Sequence, residues 1–226
     1  MINKKIMSVS YPRSGHHLLA NMLFKYFSKN LDFQNTDGLN EYAEIICAGE
    51  LNYCDYYNHC KTPGCTDETV NFQKNHDLDL SLEKKDYKYI IQYRGPVESN
   101  VSLFEFAHKK NLLEGGLRKE WENHSFGMTH PWVSWMMKWF EEKDNENYLF
   151  ISYDDLVKNT QDHLTRVVKF IEPTKNPDIQ LIKSIIETQK IKTKTGDITR
   201  SIYYDGDFIK ILKDCEERTY RILGLK

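Results

Sequence analysis

Near its start the chain reads Lys5-Ile6-Met7-Ser8-Val9-Ser10-Tyr11-Pro12-Arg13-Ser14-Gly15-His16-His17. Lys5 to Ser10 reads as a strand, and Tyr11 to Gly15 as a tight loop carrying a proline and a glycine. From His17 to Ser28 the apolar residues Leu18, Leu19, Met22, Leu23, Tyr26 and Phe27 recur at helical spacing. Where such a loop runs from strand into helix, backbone N–H groups lack partners and the helix dipole is positive, so the loop is a cradle for a phosphate-like anion. Gly15 lets the backbone approach the anion, Ser14 can donate a hydroxyl, and Arg13 offers a planar guanidinium to two oxygens. A helix terminus holds an exposed anion by only about 0.3–1 kcal/mol. Arg13 must therefore supply much of the electrostatics.

Working outward, strand-like and helix-like segments alternate in the order β-α-β-α-β-α. Val70 to Lys74 is a short second strand, and Tyr87 to Tyr93 is β-branched and aromatic enough for a central one. Pro96 opens a helix, and a Trp-rich amphipathic helix is expected from about Pro131 to Glu142. Tyr148 to Tyr153 reads as a further strand, followed by a helical pattern through Ile171 and by helices over 177–190 and 206–223. This alternation predicts an α/β fold, a central and mainly parallel sheet flanked by helices, within one domain over 1–226. Ligands of such sheets sit beyond the carboxyl ends of the strands, where the first loop lies.

A formal charge of −2 leaves no global basic field, so nucleic acid is not an expected partner and anion recognition must be local. The balance of 28% charged and 40% hydrophobic residues is that of a globular chain, and no segment approaches the roughly 20 apolar residues of a membrane span. The first nine residues hold too short an apolar run for a secretory signal, which makes the cytoplasm the expected compartment. Four of the five cysteines, Cys47, Cys54, Cys60 and Cys65, fall in a stretch that also holds His59. Their gaps do not form paired Cys-x-x-Cys knuckles, and zinc, a Cys60–Cys65 disulfide and reduced buried thiols all remain open.

No Gly-x-x-x-x-Gly-Lys-Ser/Thr string occurs, which removes the main support for an ATPase. Pro12-Arg13-Ser14-Gly15 instead resembles the 5′-phosphosulfate loop of the sulfotransferases that use 3′-phosphoadenosine 5′-phosphosulfate (PAPS), with His16 and His17 in the family's two hydroxyl-residue slots. Tyr89-Ile90-Ile91-Gln92-Tyr93-Arg94-Gly95-Pro96-Val97-Glu98-Ser99-Asn100-Val101-Ser102 is similar to the family's 3′-phosphate segment, where an arginine at a strand end and a serine eight residues later hold the phosphate. Arg94 and Ser102 have that spacing. Phe72-Gln73-Lys74-Asn75-His76 resembles the family's Lys-Thr-His, lying as it does there between the two nucleotide segments. Tyr153, in Tyr153-Asp154-Asp155-Leu156, stands where the family places a tyrosine near adenine, and Arg200 where it has the arginine of a closing loop.

The resemblance implies a P-loop-like, nucleotide-kinase-like sulfotransferase fold with PAPS as donor. It implies His76 as general base, Lys74 and Arg13 as stabilisers of transferred and leaving charge, and no covalent enzyme intermediate or obligatory metal. The acceptor would be a hydroxyl or amine of a small molecule or carbohydrate. Its wall is expected from Asn35 to Thr69 and from residues near Trp121 to Trp135, both rich in Tyr, Trp and His. Two rivals share the cradle: a P-loop-like kinase or nucleotidase, and a nucleotide-binding module without catalysis.

Overall fold

The computed structural model describes residues 4–28, 46–48, 50–55, 68–109, 117–189 and 207–225. The strands are β1 (Ile6–Ser10), β2 (Ile46–Ala48), β3 (Leu51–Asp55), β4 (Phe72–Asn75), β5 (Lys88–Tyr93) and β6 (Tyr148–Ser152). The helices are α1 (His16–Ser28), α2 (Pro96–Lys109), α3 (Leu117–Phe140), α4 (Tyr153–Lys158), α5 (Thr160–Ile171), α6 (Ile179–Thr188) and α7 (Asp207–Leu223). One six-stranded sheet runs β2-β3-β4-β1-β5-β6, parallel throughout except for the antiparallel β2–β3 pair at its edge.

β1 is buried along its whole length. Because side chains alternate across a strand, it feeds two separate cores. Ile6, with Ile90 and Ile151, packs under α1, α5 and α6 through Leu23, Phe24, Val167 and Ile182. Met7 and Val9, with Tyr89 and Ile91, pack under α3 and α7 through Trp132, Trp135, Trp139 and Tyr220.

The register brings the carboxyl ends of the strands level. Val9 pairs with Asn75, Ser10 with Gln92, and Tyr93 with Ser152. The loop after β1, His76 after β4, Arg94 after β5 and Tyr153 after β6 therefore emerge along one edge of the sheet.

Four local expectations are corrected. The β2–β3 edge pair is absent from the expected order; these strands span only Ile46–Ala48 and Leu51–Asp55, too short for a periodicity signal. The Trp-rich helix begins at Leu117 rather than Pro131. Pro131 removes one helical hydrogen bond, to the carbonyl of Gly127, and that residue is exposed to water. The cost, about 3 kcal/mol, is outweighed by burying Trp132, Trp135 and Trp139, each worth roughly 4–6 kcal/mol at about 25 cal/mol per Å². β6 ends one residue early because Ser152 caps α4, its Oγ accepting from Asp155 N at 3.4 Å. The helical pattern after it breaks at Asn159, which separates α4 from α5.

Among the described residues no helix is long and apolar enough to cross a membrane, and no group of His, Cys, Asp and Glu could hold a metal ion. Cys54 is buried in β3, while His59, Cys60 and Cys65 lie outside the described residues.

Candidate active site

The loop after β1 is anchored at both ends. Tyr11 N donates to Gln92 O at 3.0 Å, Ser14 N to Tyr11 O at 3.1 Å, and Leu19 N to Gly15 O at 3.1 Å as α1 begins. The tightness of the turn forces positive φ at Arg13 (66°) and Gly15 (82°). At Gly15 the lack of a side chain is also a packing requirement. A Cβ there would lie 2.8 Å from Tyr153 Cε2 and closer still to Cδ2. The ring of Tyr153 thus lies against the phosphate-cradle backbone, and the Arg94 guanidinium lies 4.3 Å from the centroid of that ring.

Arg94 is only 5% exposed, and no carboxylate among the described residues forms a salt bridge with it. Its Nε and the Oγ of Ser14 are buried without hydrogen-bond partners. Such atoms cost about 1–3 kcal/mol each unless something completes their bonding. Arg13 is exposed; its Nε donates to Ser102 Oγ at 3.1 Å and its guanidinium lies 5.1 Å from the Phe106 ring. The serine expected beside Arg94 is therefore joined to the first loop across 89 residues of chain.

His76 follows β4 directly. Its Nδ1 is 2.5 Å from Ser10 O and 3.2 Å from Ser10 Oγ. A carbonyl can only accept, so Nδ1 carries a proton, and in the neutral imidazole the lone pair is on Nε2. From the other side, Trp135 Nε1 donates to His76 O at 2.8 Å, and Trp132 Nε1 donates to Arg94 O at 3.0 Å. The neighbouring Asp77, whose side chain is fully buried, accepts from Lys138 Nζ at 2.7 Å and from Leu82 N at 2.7 Å. Burial pushes its carboxyl up, and the Lys138 ammonium opposes that shift.

His16 is turned inward. Its Nδ1 is 3.2 Å from Ser8 Oγ and its Nε2 is 3.2 Å from Tyr53 OH. Ser8 donates its one hydroxyl proton to Gln92 Oε1, so it accepts from His16 Nδ1–H, and Tyr53 donates to Nε2. Burial holds the imidazole well below its ordinary pKa, and the charges of Lys74, His17 and His76 push the same way. His16 is accordingly neutral. His17 is exposed, 5.9 Å from the His16 ring. Lys74 is buried in β4 at the level of Ser8.

Residues 13–17, 74, 76, 94, 102 and 153 thus gather at one sheet edge, while Arg200 lies outside the described residues. Trp132 and Trp135 do not line an acceptor wall as expected: both are fully buried, with their N–H groups spent on loop carbonyls. Ser10, Asp77 and Lys138 were not singled out from the sequence. The 132-135-138 spacing of two indoles and a lysine on a single helix face was a signal for Lys138; Ser10 and Asp77 had none of that kind.

A family model described as the sulfotransferase domain matches residues 3–207. The chain belongs to the sulfotransferase family. It is 28% identical over 98 residues to an amine sulfotransferase of Oryctolagus cuniculus, covering 41% of this chain and 32% of that protein. Over 178 residues it is 24% identical to sulfotransferase 1 family member D1 of Mus musculus, covering 74% of this chain and 58% of the relative. This sulfotransferase-family chain therefore spans less than two thirds of the length of the curated relatives it matches. Among solved structures, retinol dehydratase in complex with androsterone and PAP matches with a TM-score of 0.63 at 17% identity, over 96% of this chain and 80% of that one. Mouse sulfotransferase SULT7A1 complexed with PAP matches with a TM-score of 0.57 at 18% identity, over 97% and 82%. At these identities the structural likeness speaks for the fold.

Proposed function

We propose that this chain transfers a sulfuryl group from PAPS to a hydroxyl or amine of a small molecule. The observation that carries the reading is the juxtaposition of the Gly15–Tyr153–Arg94 stack with a histidine held in one tautomer. The orphaned Ser14 Oγ and Arg94 Nε, the open backbone cradle and the exposed Arg13 fit a nucleotide bearing phosphates at both ends of its ribose. Arg13, Ser14, Gly15 and His17 would hold the 5′ end, Arg94 and Ser102 the 3′-phosphate, and Tyr153 the base. Arg200, outside the described residues, is assigned to the 3′ group by the sequence resemblance alone. His16, engaged on both ring nitrogens, supports the loop from within.

When bound, PAPS supplies a sulfuryl group already activated on a phosphate leaving group. His76 Nε2 takes the acceptor's proton, while the Ser10 carbonyl, already accepting from Nδ1, stabilises the imidazolium that results. Such a positioned base typically contributes about 10²–10⁴-fold. Lys74 and Arg13 supply fixed positive charge where negative charge gathers. An amine or an apolar alcohol is the acceptor class favoured by the relatives' names, an amine sulfotransferase and a retinol dehydratase seen with retinol and with androsterone.

Calorimetric binding of PAP, the desulfated nucleotide, to wild type and to Arg94→Ala tests this. Tight binding is expected, weakened by about 2–5 kcal/mol in the variant because the truncation leaves a phosphate without its cation. No PAP binding by the wild type, or binding of ATP–Mg²⁺ in preference to PAP, would overturn the assignment.

A further inference from the structure

We infer that Trp132 and Trp135 are positioning residues with divided tasks, Trp132 setting donor affinity through Arg94 and Trp135 setting proton transfer through His76. The inference rests on the function proposed above. Arg94 and His76 follow strands β5 and β4, which are separated in the sheet by β1. No sheet hydrogen bond joins their two loops directly. α3 does so from one face: Trp132 Nε1 donates to Arg94 O at 3.0 Å and Trp135 Nε1 to His76 O at 2.8 Å. One turn further, Lys138 Nζ holds the continuation of the His76 loop, donating to Asp77 Oδ2 at 2.7 Å and to the carbonyls of Leu80 and Leu82, both at 2.9 Å.

Each indole grips the carbonyl of the very residue whose side chain acts, one bond from its Cα. Losing the bond frees that Cα to move and orphans a buried acceptor. A misplacement of about 1 Å can cost about 10²-fold in rate. The helix also supplies its own control. Trp139 is as fully buried as the other two and packs on Tyr89 at 5.7 Å between ring centroids, but its Nε1 has no partner. Its ring lies 6.5 Å from that of Trp135 and 5.1 Å from Lys138 Nζ, contacts that a phenylalanine ring at the same place can keep, so replacing it removes indole bulk and no hydrogen bond to either loop.

The experiment compares Trp132→Phe, Trp135→Phe and Trp139→Phe. PAP affinity is read by calorimetry, the rate at saturating PAPS with a simple phenol as probe acceptor, and the His76 imidazole signals by ¹H–¹⁵N NMR. Trp132→Phe should weaken PAP about tenfold and leave the saturating rate and the His76 signals in place. Trp135→Phe should keep PAP affinity within about twofold, lower the saturating rate at least about tenfold and displace the His76 signals. Trp139→Phe should move none of the three.

If Trp132→Phe and Trp135→Phe act alike, or Trp139→Phe reproduces their losses, the indoles are core filling and the inference fails. Failure of the wild type to bind PAP sinks the proposed function instead. The His76 signals still judge the inference, since they must respond to Trp135→Phe and not to Trp132→Phe. Where a phenylalanine variant does not fold, 3-benzothienylalanine at the same position keeps the ring size, removes only the N–H, and is read against the same outcomes.

Discussion

Gly15→Ala tests the core of the site, because the structure separates two costs that a single variant would merge. The first is conformational. Gly15 has φ of 82°, and an L-residue in the left-handed region costs about 1–2 kcal/mol. The second is steric. The added Cβ would fall 2.8 Å from Tyr153 Cε2 and nearer to Cδ2, so the ring must move; overpacking of this kind costs about 1–3 kcal/mol. Together they predict a loss of about 2–5 kcal/mol in unfolding free energy. In a Tyr153→Ala background the obstacle is gone, and only the conformational cost of about 1–2 kcal/mol should remain. Four proteins, unfolded in urea with m-values compared, give the coupling energy directly. A coupling of about 1–3 kcal/mol is expected, with Gly15→Ala milder when Tyr153 is absent. Additivity within about 0.5 kcal/mol would refute the contact between the cradle and the ring. PAP affinity should fall in the single variant as well, since the displaced ring carries the Arg94 guanidinium at 4.3 Å.

Two further outcomes follow from buried groups. His16 is held neutral by burial, so below about pH 6.5 the unfolded chain takes up a proton that the folded chain refuses. Stability should therefore fall as pH drops, approaching about 1.4 kcal/mol per pH unit from this group. Unfolding curves of His16→Gln between about pH 5.5 and 7.5 should be shallower in pH than the wild type, whereas parallel profiles would show that His16 is not buried in its neutral form. The His163 imidazole, also lowered mainly by burial, contributes equally to both proteins and cancels in the comparison. Lys138→Met strands the buried Asp77 carboxylate and should cost about 3 kcal/mol, largely recovered by adding Asp77→Asn; denaturation midpoints of the wild type and the two variants decide it, and no recovery would mean that the pair does not hold the loop.

What could be read along the chain was what short-range physics dictates. The β1–loop–α1 unit declares itself because a strand pattern, a Pro–Gly turn and a helical repeat follow one another within 24 residues, Lys5 to Ser28. The α/β class follows from repeated alternation of the same two patterns. Arg13 could be named from the chemistry of its loop, and Arg94 and His76 from the resemblance of their segments to those of sulfotransferases; the parallel sheet then carries all three strand ends to one edge. Segments with too little local signal were misjudged. The two edge strands are too short to show a period, and Pro131 looked like a helix start although burial of the tryptophans carries α3 through it.

Only the tertiary structure decided what each of these residues touches, because those contacts join segments distant in the chain. Nothing in Tyr11-Pro12-Arg13 announces that Arg13 will reach Ser102, or that Gly15 must be bare because Tyr153 lies over it. Nor could composition tell an acceptor wall from a brace. The tryptophans of α3 are aromatic and amphipathic either way, and only the packed chain puts the N–H groups of Trp132 and Trp135 on the carbonyls of Arg94 and His76. Local sequence sets the elements and the chemistry they can offer. The directions in which side chains spend their hydrogen bonds depend on how the strands are ordered and which helix crosses their ends, and that is a property of the packed chain.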